Sequence, residues 1–488
     1  MQPVLLALTA AYVGFQKFSC KLNNRKIGRF CQFYSRKYVM GYIFLYHRTG
    51  VERNQVKSCY HESDRAKLTF MSIDDTTSRD LFHDEYCLEK QRSICHMSKA
   101  ISDTGSTPQK DMQDIPTSSK ANKGGLEGIV AATTAISKVE GTAGRLIYRG
   151  YTIHDLARTT SFEEIVHLLW FGHLPNQREL SELHAHFAAE RTLPAEVLQV
   201  IQVLPAQTEP MDVLRTAVSA WGALSIKGKP TVEQAIALTA RFPLILAAFH
   251  SLRTGKAILE SRPELSHAAN YLYLLTGQEP SQEHVQGLNS YLVLLADHGM
   301  NASTFTARVV ASTESDIVSS IVAALGALKG PLHGGAPSKV QDMLHAIGSV
   351  DNAEPWLRSA MARGERLMGF GHRVYKTEDP RAEELREMAR VADPQGFMLS
   401  RRVEELALAL LEEQKPGRRL YTNVEYYSAA LMHSVGLPGD LFTPTFAVSR
   451  VGGWTAHVLE QINNNRLIRP DADYTGPNEQ QFVPLSAR

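Results

Sequence analysis

Beyond Cys95 the chain contains no cysteine. The five it carries (Cys20, Cys31, Cys59, Cys87 and Cys95) all lie in the first hundred of 488 residues. The rest of the chain therefore cannot use a disulfide, a thiolate metal site or a catalytic thiol, and the odd total fits a reducing compartment. An excess of charge of one sign is also missing: 52 basic side chains stand against 51 acidic ones, for a net charge of +1. General nucleic-acid binders carry a basic surplus, so no nucleic acid is expected as a partner. The apolar run from Val4 to Phe15 is interrupted by Lys17, short of the ~20 residues that span a bilayer, and no membrane partner is expected. G-x-S-x-G, H-E-x-x-H and the EF-hand loop are absent. Gly222–Lys229 (GALSIKGK) approaches a P-loop, but its glycine spacing is one too long and Pro230 stands where Ser or Thr belongs; it reads as a helix end and turn. His184 and His186 are two apart on a predicted helix and do not face one another. Nothing in the pattern calls for a metal.

What is present is ordinary for a globular protein: 43% hydrophobic and 8% aromatic residues, over a length of about three domain-sized units. The first stretch differs from the rest. It has eight basic residues before its first acidic one, Glu52. Three readings compete for residues 1–96: a transit-type targeting segment, a secretory signal that lacks a clear cleavage pattern, or an extension foreign to the native protein, with Met97 as the true start. The third is preferred and goes with a cytoplasmic location; a genuine leader would mean the mitochondrion. Residues 97–124 are rich in Ser, Thr, Lys, Asp and Gly and are expected to be a flexible tail.

From about residue 160 helical signals follow one another. Ser161 and Glu164 form a capping box ahead of Ile165–Trp170, with Gly172 and Pro175 as stops. Thr231 and Gln234 form a second box ahead of Ala235–Ala240. Apolar stripes run through Leu180, Leu183 and Phe187, through Val213, Leu214, Ala217, Val218 and Trp221, and through Ile317, Ile321, Leu325 and Leu328. Arg145–Tyr151 is the best strand candidate. The fold class is mostly α.

Four segments carry candidate chemistry. LLADHGMNASTFTAR holds His298 and Asn301; KGPLHGGAPS holds His333; MGFGHRVYKTEDPRA holds His372, Lys376 and Arg381; YTNVEYYSAA holds Glu425. FAVSR, ending in Arg450, and RLIRPD, with Arg469, follow. His333 is either a hydrogen-bonded histidine in a helix-linking turn or a group whose glycine neighbours let a ligand approach. The GFGHRVYKTEDPR segment is either a solvated charged loop or a phosphate-holding loop, with Lys376 as a point charge and Arg381 as a carboxylate fork. Glu425 sits among Val424, Tyr426 and Tyr427. Burial there would raise its pKa and suit a general base; a surface carboxylate is the alternative. His298 beside Asp297 could equally be an interhelical histidine.

Taken together and in this order, the segments resemble the citrate synthase family. The resemblance runs from about Gly124 to Pro477. It includes GLEGIVAATTAISKVEGTAGRLIYRGY, D-H-x-x-N-A-S-T-F, G-P-L-H-G-G, G-F-G-H-R-V-Y-K-x-x-D-P-R and N-V-E-Y-Y-S, in the wording of the shorter bacterial-type branch, which also includes 2-methylcitrate synthases. It implies a two-domain helical subunit, with a large domain (125–335 and 431–488) carrying a homodimer contact and a smaller mobile one (336–430). It implies condensation of acetyl-CoA with oxaloacetate, without metal or organic cofactor; propionyl-CoA is the alternative substrate, and a weakly catalytic binder of CoA or dicarboxylate the alternative of another class. By the same resemblance His333, His372 and Glu425 are catalytic. His298, Asn301, Arg381, Arg450 and, from the partner subunit, Arg469 hold oxaloacetate. Gly369, Phe370, Gly371 and Lys376 meet CoA. One departure stands out: the family's base is usually Asp, and here it is Glu425. The extra methylene moves the carboxylate by about one C–C bond, and a compensating backbone shift is expected, since ~1 Å of misplacement can cost about a hundredfold in rate.

Overall fold

The structure, a computed structural model, describes residues 125–126, 128–226, 228–334, 336–372, 374–417 and 420–488. The leader and tail expected over 1–124 lie outside the described residues. A small antiparallel sheet comes first: β1 (Ser137–Glu140), β2 (Arg145–Tyr148) and β3 (Tyr151–Thr152), in that order. Ser137 faces Tyr148 across the β1–β2 hairpin. Sixteen α-helices follow among the described residues. The first ten are α1 (Ile153–Ala157), α2 (Phe162–Phe171), α3 (Gln177–Glu190), α4 (Ala195–Val203), α5 (Pro210–Ser225), α6 (Val232–Arg253), α7 (His267–Thr276), α8 (Gln282–Leu295), α9 (Ala302–Ser312) and α10 (Ile317–Leu328). The remaining six are α11 (Ala336–Ile347), α12 (Ala353–Ala362), α13 (Pro380–Ala392), α14 (Pro394–Gln414), α15 (Val424–Ser434) and α16 (Phe442–Asn463).

Both expected capping boxes form. The Ser161 hydroxyl accepts from the Glu164 N–H while Glu164 reaches back to the Ser161 N–H, and Thr231 and Gln234 do the same for α6. Of the expected strand Arg145–Tyr151, Arg145–Tyr148 is β2 and Tyr151 opens β3, with a turn at Arg149–Gly150 between them; Gly222–Ser225 is the end of α5, as expected, and Gly228–Lys229 is a bend. His184 and His186 are exposed.

Two 22-residue helices, α6 and α16, run through the centre. Each is buried on nearly every side, which requires an apolar surface all round. α6 is long and apolar enough to cross a membrane, yet 83% of that window is buried inside the protein; it is a core helix. α16 packs against α2, α6, α8, α9 and α10. Gly452 and Gly453 make this possible. A Cβ on Gly452 would meet Val166 at 2.6 Å, and one on Gly453 would meet Asp297 Oδ1 at the same distance. A second group of helices, α11 to α15, is joined by α13–α15, α11–α15 and α12–α14 packing. It meets the first group through α13 on α8 and α11 on α16.

Candidate active site

The His298 turn follows α8. Asp297 is fully buried. Its Oδ2 accepts from the Gly299 N–H (2.9 Å) and from the Ser137 hydroxyl, and its Oδ1 lies 3.2 Å from His457 Nε2. Burial opposes its ionisation, but His457, Arg450 and Ser137 outweigh burial and hold its carboxyl below the usual range. Gly299 turns the chain at φ +57°. Asn301 then caps α9: its Oδ1 accepts from the Thr304 N–H and the Ser303 hydroxyl, and its Nδ2 donates to Gly299 O. His298 itself faces Tyr375, with Nε2 3.1 Å from the phenol oxygen.

His333 lies on a tight turn after α10, closed by His333 N–H donating to Gly330 O (2.9 Å) and Gly334 N–H to Leu328 O (3.0 Å). Its Nε2 accepts from the Ser303 N–H at 3.3 Å and touches the Ser303 hydroxyl at 2.8 Å. That N–H is one of those a helix leaves unpaired in its first turn. The accepting Nε2 carries no proton, so the Nδ1 of the neutral ring does. Burial, then the charge of Arg450, pulls the pKa of His333 down to about 4, and the positive end of α9 acts in the same sense.

His372 is held in the opposite tautomer. Its Nδ1 accepts from the N–H groups of Val374 and Tyr375, each at 3.0 Å, which leaves Nε2 as the N–H donor. Burial, then Arg381, lowers its pKa to about 4 as well. Two neutral imidazoles thus each present one fixed N–H at neutral pH.

The segment before His372 pairs with 421–423 through an isolated antiparallel bridge. Gly371 N–H donates to Tyr421 O (2.7 Å) and Asn423 N–H to Gly369 O (2.9 Å), with Phe370 opposite Thr422. Asn423 adds Nδ2 to Gly371 O (3.0 Å) and caps α15 by accepting from the Glu425 N–H (3.2 Å). This pairing ties His372 and Glu425 into one unit. Glu425 is partly buried, and its Oε2 has no hydrogen-bond partner among the described residues. Burial raises its pKa; Arg381, its own backbone N–H and Arg450 oppose the rise without cancelling it.

Two buried guanidiniums complete the cluster. Arg381 forks onto Asp379 (Nε to Oδ1 3.0 Å, Nη2 to Oδ2 2.7 Å), the residue that also caps α13. Arg450 donates Nε to Leu295 O (2.7 Å) and stacks over Phe446, but its Nη2 is buried without a partner. Burial, offset in part by Asp297, lowers its pKa to about 10. A buried cation with an unspent donor is costly, and an anion supplied from outside would satisfy it. His298 registers the whole cluster: burial, then Arg381, Arg450, His372 and His333, hold it well below its ordinary pKa. The arrangement offers two N–H donors, two guanidiniums and one unpaired carboxyl, a set suited to a dicarboxylate and to stabilising developing oxyanions.

A family model described as "Citrate synthase, C-terminal domain" matches residues 125–471. The chain belongs to the citrate synthase family. Among curated relatives, "Citrate synthase 2" of Bacillus subtilis is 46% identical over 75% of this chain and 98% of its own length. "2-methylcitrate synthase" of Shewanella oneidensis is 38% identical over 76% and 99%. Among solved structures, the ternary complex of citrate synthase from Thermoplasma acidophilum with carboxymethyl coenzyme A and oxaloacetate is 32% identical, with a TM-score of 0.69, covering 74% of this chain and 98% of that one.

Half of the twelve expected citrate synthase positions meet in the cluster: His298, His333, His372, Arg381, Glu425 and Arg450. Asn301 lies at its edge with its side chain committed to capping. Phe370 is buried and packs 5.1 Å from the Tyr426 ring, and Gly369 and Gly371 spend main-chain groups on 421–423. Lys376 and Arg469 are exposed, and Arg469 makes no described contact with the cluster. Ser303, Asn423, Tyr375 and Asp379 escaped the sequence reading. So did Trp454, whose indole N–H donates to the Ser303 hydroxyl at 3.1 Å. Only Asp379 had a local signal: an acid before Pro-Arg is a helix-start pattern. Among the described residues one group of metal-ligating types also lies close together, His167, His173 and Glu179. Two of its members hydrogen-bond within the protein: Glu179 accepts from the Asn176 N–H, and His167 Nδ1 lies 3.0 Å from His173 O.

Proposed function

We propose that the chain joins the methyl carbon of acetyl-CoA to the ketone carbon of oxaloacetate and then hydrolyses the thioester, releasing citrate and CoA. This is acyl transfer with conversion of the acyl group to alkyl. The observation that carries the proposal is the pair of opposed backbone contacts, Ser303 N–H on His333 Nε2 and the N–H groups of Val374 and Tyr375 on His372 Nδ1, which direct Nδ1–H of His333 and Nε2–H of His372 outward as donors.

In this reading Glu425 removes a methyl proton, while His333 Nδ1–H holds the thioester oxygen as the enol forms. The enol carbon attacks the ketone, and His372 Nε2–H supports the alkoxide that develops. Arg381, Arg450 and His298 hold the two oxaloacetate carboxylates, Arg450 with its unspent Nη2 donor. Arg469 of a second subunit in a homodimer would join them. Asn301 acts through Ser303 as a positioning residue. Lys376 meets a CoA phosphate, and Gly369, Phe370 and Gly371 meet CoA beside it. Residues 336–430 would close as a smaller domain over 125–335 and 431–488 and shield the enol from water. These steps call for no metal or organic cofactor.

A thiol-release assay with oxaloacetate and acetyl-CoA tests the proposal; turnover of about 1–1000 s⁻¹ is expected, and none when either substrate is left out. Propionyl-CoA belongs in the same assay, because relatives of both names resemble the chain. One methylene in an apolar pocket is worth about 1–3 kcal/mol, so a preference for either acyl group should stay within about 200-fold. Release of CoA from neither thioester would overturn the proposal and leave a binding homologue.

A further inference from the structure

The β1–β2 hairpin touches both histidine loops of the site. At one end of β1, the Ser137 hydroxyl accepts from the Gly299 N–H (3.1 Å) and donates to Asp297, so it holds the turn that carries His298. At the other end, Gly141 O accepts from the Lys376 N–H at 2.9 Å. There the hairpin lies against the backbone of 374–377 with no room for a side chain. A Cβ on Gly141 would fall far inside van der Waals contact with Val374 O, and one on Gly144 would lie 2.5 Å from Thr377 Oγ1. Gly144 has φ +61°, a left-handed conformation that favours glycine. Gly141 is not in that region, so its lack of a side chain answers to space alone.

The backbone pressed by the hairpin is the one that sets His372. Val374 and Tyr375 donate both N–H groups that hold Nδ1. Tyr375 also meets His298 through its phenol (3.1 Å) and packs its ring 4.7 Å from that of His372. His298 and His372 rings lie edge-on at 5.7 Å. We infer that Gly141 is a positioning residue: through the close approach of the hairpin to Val374 it fixes the height and tautomer of the His372 ring. The hairpin is thereby a gauge that sets His372 relative to His298. The inference rests on the reading of His372 as the group that polarises the ketone.

The test compares Gly141→Ala with the unaltered full chain. The added methyl has to push Val374 away and so loosen the two N–H bonds to Nδ1. A displacement near 1 Å predicts about a hundredfold loss of kcat. KM for oxaloacetate should change by less than about threefold, because Arg381 and Arg450 keep their places. The carbonyl resonance of bound [2-13C]oxaloacetate, shifted by polarisation in the unaltered protein, should move back toward its free value. Gly144→Ala presses on Thr377 from the same turn and should lose activity in the same direction, keeping the test open should Gly141→Ala fold poorly. Lys138→Ala, on the exposed side of β1, should leave kcat within about twofold. Undiminished kcat in both glycine variants, or losses matched by Lys138→Ala, would overturn the inference. An inactive unaltered protein would instead overturn the functional reading, so the two failures are distinct.

Discussion

Glu425 stands where the family's usual Asp is shorter by one methylene, and its surroundings are those a base requires. Its carboxyl is partly buried, lacks a hydrogen-bond partner on Oε2, and has its pKa raised by burial against the pull of Arg381 and Arg450. A carboxylate so placed gives up solvation and gains basicity. Glu425→Gln keeps shape and hydrogen-bonding capacity but cannot accept the proton. Thiol release should fall by about 10²–10⁴, while oxaloacetate binding, followed by calorimetry, persists on the two guanidiniums. Near-normal turnover in that variant would assign the base to another group. The residues legible at this scale were those whose type and neighbours both carried chemistry, such as His333 among glycines and His372 before a basic run. Ser303, Asn423 and Tyr375 were not legible. A serine, an asparagine and a tyrosine become functional here only through which N–H or ring they meet.

Single elements bring the histidines and the carboxylate into register. The pairing of 369–371 with 421–423 joins two loops about fifty residues apart, and it depends on Gly369. That glycine has φ +87°, and a Cβ there would lie 2.7 Å from Tyr426 Cδ2. Gly369→Ala should destabilise the chain by about 1–3 kcal/mol through backbone strain and overpacking, as read by urea unfolding. It should also cost activity by loosening the pairing that ties His372 to Glu425. The helices themselves were largely legible. Capping boxes, stop glycines and stripes at 3.6-residue spacing are local, and α10 begins and ends where its apolar positions do. The pairing of 369–371 was not, because two short irregular segments carry no period.

At the scale of the whole molecule, the cluster as described holds two guanidiniums, and the third proposed for oxaloacetate, Arg469, is exposed in the segment after α16. A homodimer in which each subunit lends Arg469 to the other accounts for this and has a sharp consequence. Arg469→Ala and Glu425→Gln subunits should each be nearly inactive alone. Unfolded together and refolded as a mixture, they should recover about one-quarter of full activity, because half the dimers are hybrids and each hybrid holds one intact site. No recovery, with hybrids verified by mass, would place Arg469 in its own subunit's site or outside any site. The division into 125–335 with 431–488 and 336–430 belongs to this scale too, as a proposal about closure.

Composition, capping signals and apolar spacing were enough to establish a mostly helical chain, and the order of its motif-bearing segments was enough to place it in its family. These properties depend on neighbours within a few residues, which the chain carries wherever it goes. The protonation states of His333 and His372, the unspent donor of Arg450 and the hold of the hairpin on the His372 loop came into being only on folding. Each is set by burial and by a donor or backbone brought from a distant stretch, and that proximity has no counterpart along the unfolded chain.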